Sequence, residues 1–287
     1  MAQNTLSRHN LLPAKNLVLN ELVNRIHDKH WYEVILLTLT MLDSSDDLFL
    51  LMKTKIDELL LDDEALQKFL TWVIQKSRSV DIFYKPAAIR AFYFDNCDLS
   101  FFQHIDNTSL EYLDSIPIVS LKGDIQIDHN LQNALGSSFM LSQDIQQDPE
   151  GCPNVNQAIY YSSDGLFGAS TIWEETCPES FKTLIQELHQ YNPHEQWQEF
   201  KQWWQDSGQN WTEKLKLFMV KYRNIGHDWQ FSKKQHDRLK QYSDANQFLI
   251  RCLNSNCTIR INTRQEIEET LLLPIAEIER RKCENVE

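Results

Sequence analysis

The 287-residue sequence is poor in the two residues that most often break helices, with only seven glycines and eight prolines. So few chain breakers do not suit a turn-rich β protein. The composition therefore predicts an all-α fold. A chain of this length can bury a substantial core, in one large domain or two modest ones.

Long apolar runs and paired cysteines are also missing. The longest apolar run, residues 34–42, is far shorter than the roughly 20 residues needed to cross a bilayer, and the first ten residues are polar and unlike a secretory signal. We therefore expect a cytoplasmic protein with no membrane partner. The six cysteines include no CxxC pair, so the sequence indicates neither a zinc ribbon nor a redox pair.

Positive charge is scarce in the first two-thirds of the chain. Residues 1–194 hold 13 Lys and Arg against 27 Asp and Glu, whereas residues 195–287 hold 15 against 14. Nucleic-acid binding depends on clustered Lys and Arg that displace counterions from the phosphate backbone. We therefore do not expect nucleic acid to be a partner of the acidic part.

The usual motifs of cofactor and metal sites are absent. The sequence contains neither GxxxxGK[ST] nor GxGxxG, and it has no GxSxG or HExxH run. His27 and His30 could share one face of a helix, but a metal ion needs further ligands at fixed geometry. We therefore predict no cofactor and no metal, and we interpret the two histidines as residues of a helix–helix joint.

Residues 1–95 are predicted to form a stack of helical hairpins. Apolar residues at helical spacing indicate helices near 19–26, 48–60 and 66–73, joined by short polar segments. The run from Trp31 to Leu42 is apolar nearly all round, which predicts a buried helix. A further helix should begin at Pro86, because proline suits the first helical turn.

The second region, residues 96–170, is predicted to be an irregular linking region. It holds five of the seven glycines. Short helices are expected near 110–116 and 125–135, and residues 143–170 are predicted to be loop or partly disordered.

Helical signals return in residues 171–287, which we predict to be a compact Trp-rich helical bundle. The predicted helix boundaries are a cap at Asn192, helix ends at Gly208 and Gly226, capping boxes at Ser232–Gln235 and Thr263–Glu266 that open helices near 233–253 and 264–273, and a break at Pro274.

Six of the eight tryptophans lie between Trp173 and Trp229. Core packing is the first interpretation of these side chains. Trp203 and Trp204 are adjacent, however, and cannot both face one core directly. We expect one of them to be partly exposed, as aromatic anchors of protein interfaces often are, and we take Trp203, Trp204 and Trp229 as candidate interaction residues.

One short run is chemically suggestive. Tyr222 to Asp228, YRNIGHD, resembles the Arg-Asn…His motif of HEPN-type ribonucleases, which would make Arg223, Asn224 and His227 catalytic. Only three residues separate the Arg from the His, whereas that motif usually has four to six. The other interpretation, which we favour, is that Arg223 and His227 bond helix-end carbonyls and neighbouring acids. We therefore predict no catalytic residue.

Longer runs resemble a second family. FKQWWQDSGQNWTEKLKLFMVKYRNIGHDWQFS, YSDANQFLIRCLNSNC and EIEETLLLPIAEIERR resemble the C-terminal helical domain of bacterial, particularly cyanobacterial-type, NACHT proteins of the STAND NTPase class. HWYEVILLTLTMLDSSDDLFLLMKTKIDELLLDDEALQKFLTWVIQKSRSV, followed by YKPAAIRAFYF, resembles the helical segment after the winged-helix part of the same proteins. No run resembles the NACHT ATPase, so the resemblance transfers no nucleotide-binding residue.

The resemblance implies a non-enzymatic helical sensor or interaction module of a signalling or defence protein. It also implies a protein partner, for which a NACHT-bearing protein is the first candidate. Two alternatives stay open at this point: a HEPN-like ribonuclease that uses Arg223 and His227, and a decayed remnant of a larger NACHT protein.

Overall fold

The computed structural model describes residues 18–80, 84–95, 123–147, 166, 168–170, 177–190 and 196–284. These residues form helices and connecting turns without a β-strand, which confirms the all-α prediction. In chain order, the labelled helices are α1 (18–23), α2 (Tyr32–Met41), α3 (Asp46–Glu58), α4 (Glu64–Arg78), α5 (Pro86–Asp95), α6 (Gly123–Gln147), α7 (Glu179–His189), α8 (Trp197–Trp203), α9 (Gln209–Arg223), α10 (Lys233–Leu253), α11 (Ile261–Thr270) and α12 (Ile275–Glu284). Residues 166 and 168–170 are helical as well. Within the described ranges, no helix is both long enough and apolar enough to span a bilayer.

One large hydrophobic core joins helices from both ends of the chain. Helices α4 and α5 pack along each other, α3 packs against α10, and α11 contacts both α3 and α5. Tyr32 of α2 stacks on Phe248 of α10, with ring centroids 3.8 Å apart. Elements that are distant in sequence therefore share one interior. The domain boundaries at residues 95 and 170 stay a prediction.

Several helix ends lie where local sequence signals place them. Pro86 begins α5, and α10 spans Lys233–Leu253. The capping box that opens α10 is reciprocal: Gln235 N donates to Ser232 Oγ at 3.3 Å, and Ser232 N donates to Gln235 Oε1 at 2.9 Å. Each side chain thus satisfies a backbone donor that the first helical turn leaves unpaired.

The predicted capping box at Thr263 is wrong. Helix α11 begins at Ile261, so Thr263 lies inside it and is buried. Its side chain is hydrogen-bonded to Asp46 of α3, which also accepts from the backbone N–H of Arg260 at 3.1 Å. Hydrogen bonds led by that from Ser44 hold the pKa of Asp46 well below its usual range. A partner from a distant helix has therefore replaced the local cap.

The two glycines predicted to end helices have other roles. Gly208 closes a π-helical turn, Trp204–Gly208, which joins α8 to α9 without a break. A Cβ at Gly208 would lie 2.6 Å from an atom of the Trp204 ring, so the glycine gives that ring room to pack. Helix α9 ends earlier than predicted, because Asn224 takes the left-handed cap at φ 54°, and Gly226 follows in the loop at φ 77°.

Two further predictions are partly wrong. Helix α6 is much longer than 125–135 and continues to Gln147, so the expected loop does not begin at residue 143. The run from Trp31 to Leu42 is helical, but only one face of α2 is buried, because that helix lies at the surface and packs on α10. The expected helix near 110–116 and the cap at Asn192 lie outside the described residues.

Candidate functional site

The residues of the ribonuclease-like motif lie where α9 ends beside α4 and α6. Asn224, in its left-handed conformation, accepts a hydrogen bond at its carbonyl from Trp72 Nε1 of α4, at 2.9 Å. Its side-chain Oδ1 is 2.7 Å from His227 Nε2. The left-handed cap therefore brings the loop after α9 back onto α4.

Arg223 is engaged by two carboxylates of α6. Its Nε lies 2.6 Å from Asp128 Oδ1 and its Nη1 lies 2.7 Å from Asp124 Oδ1. Nη2 also donates to the Asp124 carbonyl at 3.1 Å. The two acids share one face of α6 because they are four residues apart. A phosphate group would have to displace these carboxylates before Arg223 could bind it.

Asp128 is the centre of a buried ionic network. Its carboxylate is fully buried and accepts from Tyr93 Oη at 2.7 Å, with Lys76 Nζ at 2.8 Å from the same oxygen. Arg223 occupies the other oxygen. We call this set the Asp128 network: Lys76 of α4, Tyr93 of α5, Asp124 and Asp128 of α6, and Arg223 of α9. The two cations balance the two carboxylates, so the network is neutral as a unit.

The local environment favours this pattern of charges. Burial lowers the pKa of Lys76, but Asp128 opposes the shift. Burial alone would lower the pKa of Arg223, but the Asp128 and Asp124 carboxylates outweigh it and raise that pKa. Burial and the Asp128 charge raise the pKa of the Tyr93 hydroxyl, which stays a proton donor. The network therefore joins four helices, α4, α5, α6 and α9, through buried ion pairs and hydrogen bonds.

His227 and Trp229 belong to an aromatic cluster on α4. The ring centroid of His227 lies 5.9 Å from that of Trp72 and 5.7 Å from that of Trp229. Trp229 also packs edge-on against Phe69, at 5.3 Å, and stacks on Phe231, at 5.9 Å. Burial lowers the pKa of His227, although its contact with Asn224 opposes this shift. Arg223 is thus held by α6 and His227 by tryptophan rings, so different elements fix the two side chains.

The adjacent tryptophans differ in exposure, as expected for neighbours on a helix. Trp204 is buried and donates from Nε1 to Ser142 Oγ of α6 at 3.1 Å. Trp203 is partly exposed and contacts Phe200 and Trp204, with centroid distances of 5.7 and 5.9 Å. Trp229 is also partly exposed. A role for Trp203, Trp204 or Trp229 in binding a partner stays a prediction.

The histidine pair at the start of the chain shows no metal-binding geometry. His27 and His30 are exposed, and His30 Nδ1 lies 2.8 Å from Asp28 Oδ1 in the turn before α2. Across the part of the chain that the structure describes, no three His, Cys, Asp or Glu side chains are grouped so that they could hold a metal ion.

Sequence reasoning identified Arg223 but missed Asp128 and Lys76. The available signal was the four-residue spacing of Asp124 and Asp128, which places two carboxylates on one helix face. Nothing in the spacing shows that their partner is Arg223, which lies 95 residues after Asp128 in the chain.

A family model matches part of the chain. Residues 179–274 match the model of NACHT C-terminal Helical domain 2 (NCH2). The matched segment runs from α7 to the end of α11 and contains the candidate residues Trp203, Trp204, Arg223, Asn224, His227 and Trp229. The comparisons with curated proteins and with solved structures give no match. Residues 179–274 thus resemble a NACHT-associated helical domain, and the matching model is not that of a NACHT ATPase domain.

Proposed function

We propose that this chain is a non-enzymatic helical module that senses or relays a signal by binding another protein, in signalling or defence. The observation that carries the proposal is the match of residues 179–274 to NACHT C-terminal Helical domain 2. A NACHT-bearing protein is accordingly the first candidate partner, and the partly exposed Trp203 is the first candidate contact residue.

The contacts of the candidate catalytic residues support a binding role over a chemical one. Arg223 is neutralised by Asp124 and Asp128, and His227 is packed against Trp72 and Trp229. A ribonuclease needs a cation that is free to meet a phosphate and a histidine that can move a proton at the reacting oxygen. These side chains are instead used to join helices.

The Asp128 network gives the module a means of coupling. It links the matched segment, through Arg223, to α4, α5 and α6, which lie outside the match. A partner that moved the end of α9 would strain or release this buried network, since an ionic network in an apolar interior tolerates little displacement. Binding at one helix would thereby change the packing of the others.

The test is a direct binding measurement with a purified NACHT-bearing protein from the same genome. We expect isothermal titration calorimetry to detect a complex and the rate of ATP hydrolysis by the partner to change when the chain is added. Trp203→Ala should weaken the complex, and Leu61→Ala, which changes an exposed apolar residue outside the matched segment, is the control. No heat of binding at about 100 µM of each protein would contradict this choice of partner.

An RNA-cleavage assay tests the ribonuclease alternative. Cleavage by the purified chain that disappears in His227→Ala would replace the proposal with an enzymatic function. A chain that neither binds a protein nor cleaves RNA would favour the decayed-remnant interpretation.

A further inference from the structure

Helix α12 is joined to the rest of the molecule by a strained turn. Leu272, which lies between α11 and α12, has a left-handed backbone with φ 58°, and this conformation is unfavourable for a bulky side chain. The residue before it is held in place, because Leu271 is completely buried and its carbonyl accepts from Nε of the buried Arg90 at 2.7 Å. Backbone strain of this kind persists only where the surrounding structure maintains it, and it is common in segments that change conformation.

Beyond this turn, α12 is held by a small apolar cluster of its own. Among the ten residues of the helix, only Ile278 is buried. It packs with Leu273 and with Ile74 of α4, and this cluster is separate from the main core. A segment with few buried apolar contacts opens at a lower cost in free energy than helices that share a large core. We therefore expect α12 to detach more readily than α4 or α10.

Polar contacts complete the attachment of α12 to α4. Ile275 N donates to Gln67 Oε1 at 3.0 Å, and Arg78 Nη2 donates to Glu277 Oε1 at 2.6 Å. Hydrogen bonds led by that from Arg280 lower the pKa of Glu277 to about 2, so its carboxylate is charged at neutral pH. The Arg78 side chain is 56 % exposed, so its ion pair with Glu277 contributes little free energy and can break at low cost.

The residues of α4 that hold α12 lie on one side of α4. Gln67, Ile74 and Arg78 are at positions i, i+7 and i+11, which align along a helix. We call these three residues the α4 face. Ile74 is only 4 % exposed while α12 is docked. Detachment of α12 would therefore uncover an apolar side chain between an amide and a guanidinium.

We propose that α12 is a strap that undocks from the α4 face as a unit, with the backbone at Leu272 as the hinge, while the rest of the molecule stays folded. Docking and undocking would control access to the α4 face. The matched segment ends at residue 274 and α12 begins at Ile275, so the movement would leave the matched helices in place. The inference does not rest on the proposed function, because the movement is measured on the chain alone.

Hydrogen exchange of the full chain, followed by mass spectrometry, tests the inference. In the wild type, the amides of residues 278–282 should exchange at least about tenfold faster than the buried helical amides of α10. Ile278→Ala removes the central apolar contact and should raise exchange across α12 at least about tenfold further, while exchange in α10 stays unchanged. Circular dichroism establishes that the variant is folded.

A second variant tests the docking without changing the sequence of α12. Arg78→Gln removes the ion pair from the α4 side and should raise exchange across α12 about two- to fivefold. Lys68→Gln is the matched control, because Lys68 is a cation of α4 that is 71 % exposed and pairs with Glu64 of its own helix. This control should leave exchange in α12 unchanged.

Exchange across α12 that is unchanged in both Ile278→Ala and Arg78→Gln would overturn the proposal. An equal acceleration in α10 would overturn it as well, because α12 would then open only when the whole chain unfolds. An increase confined to residues 282–284 would have the same consequence, since the end of the helix would then fray while the rest of α12 stayed docked.

Discussion

The Asp128 network and the outer face of α2, which carries Val34, Leu37 and Met41, reverse the usual placement of charged and apolar groups in opposite ways. At the network, Lys76 and Asp128 are almost completely removed from water. On the outer face of α2, the side chains of Leu37 and Met41 are largely exposed to water, at 60 % and 84 %. Burying charge is costly unless each charge is paired, and exposing apolar surface forgoes the free energy of its burial.

The two regions differ in whether the same chain supplies the groups that contact them. Every charge in the Asp128 network has a partner of opposite charge within the same chain. The outer face of α2 has no such complement among the described residues, although its inner face is packed on α10. Pairing within the chain offsets the cost of burying charge, whereas the outer face of α2 gains no free energy from burial within the described residues.

The largest effect is expected from breaking the network at its centre. Asp128→Asn removes the charge shared by Lys76 and Arg223, and it should lower the free energy of unfolding by about 3–5 kcal/mol, because it leaves buried cations without full compensation. Urea denaturation of the purified variant measures the loss. Asp47→Asn, an exposed acid on α3, is the control and should change stability by less than about 0.5 kcal/mol. A loss below about 1 kcal/mol for Asp128→Asn would show that the network contributes little.

The second prediction compares the two faces of α2. Leu39 is fully buried and Leu37 is 60 % exposed on the same helix, so both changes to alanine remove the same atoms from different environments. Leu39→Ala should cost about 2–5 kcal/mol through lost burial and the cavity left behind. Leu37→Ala should change stability by less than about 0.5 kcal/mol, because the leucine is largely exposed. Equal losses in thermal or urea denaturation would mean that the outer face is covered within the chain.

Local signals explain which parts of the fold could be predicted from sequence. Pro86 and the Ser232–Gln235 box lie at the helix starts that they predict, because their hydrogen bonds and backbone angles involve neighbouring residues only. Thr263 shows the limit of such signals. The same kind of box failed there, because Asp46, more than 200 residues away, offers the hydroxyl a buried partner.

The candidate site was less predictable for the same physical reason. The motif around Arg223 could be seen in sequence, but the ion pairs that define its environment come from α6. The apolar periodicity of Trp31 to Leu42 likewise indicated a helix but could not show which face this chain covers. Which carboxylates pair with Arg223, and which face of α2 is buried, depend on how the helices pack together. These features can therefore be seen only in the structure.

A smaller effect should follow from removing a neutral donor from the network. Tyr93→Phe keeps the ring in its buried position but removes the hydroxyl that donates to Asp128 at 2.7 Å. We expect a loss of about 1.5–3 kcal/mol in urea denaturation, which is typical of a hydrogen bond to a charged group. Tyr222→Phe removes the hydroxyl of a tyrosine that is 45 % exposed, and it should cost less than about 0.5 kcal/mol. Equal losses of unfolding free energy in the two variants would show that the hydrogen bond from Tyr93 to Asp128 does not stabilise the fold.

The smallest effect concerns pH and the partly buried histidines, of which His227 lies in the aromatic cluster on α4. Burial lowers the pKa of His227 in the folded chain, so between its folded pKa and the ordinary value of about 6.5 the unfolded chain binds more protons, and stability falls as pH falls through that range. His227→Gln should remove the part of this loss of stability that is due to His227. Thermal melts at pH about 7.5 and about 5.5 would then show a smaller drop in Tm for the variant than for the wild type. His129, whose pKa burial also lowers, should contribute with the same sign, so His129→Gln/His227→Gln should have the flattest profile. A wild-type slope in both variants would show that neither imidazole controls the response to acid.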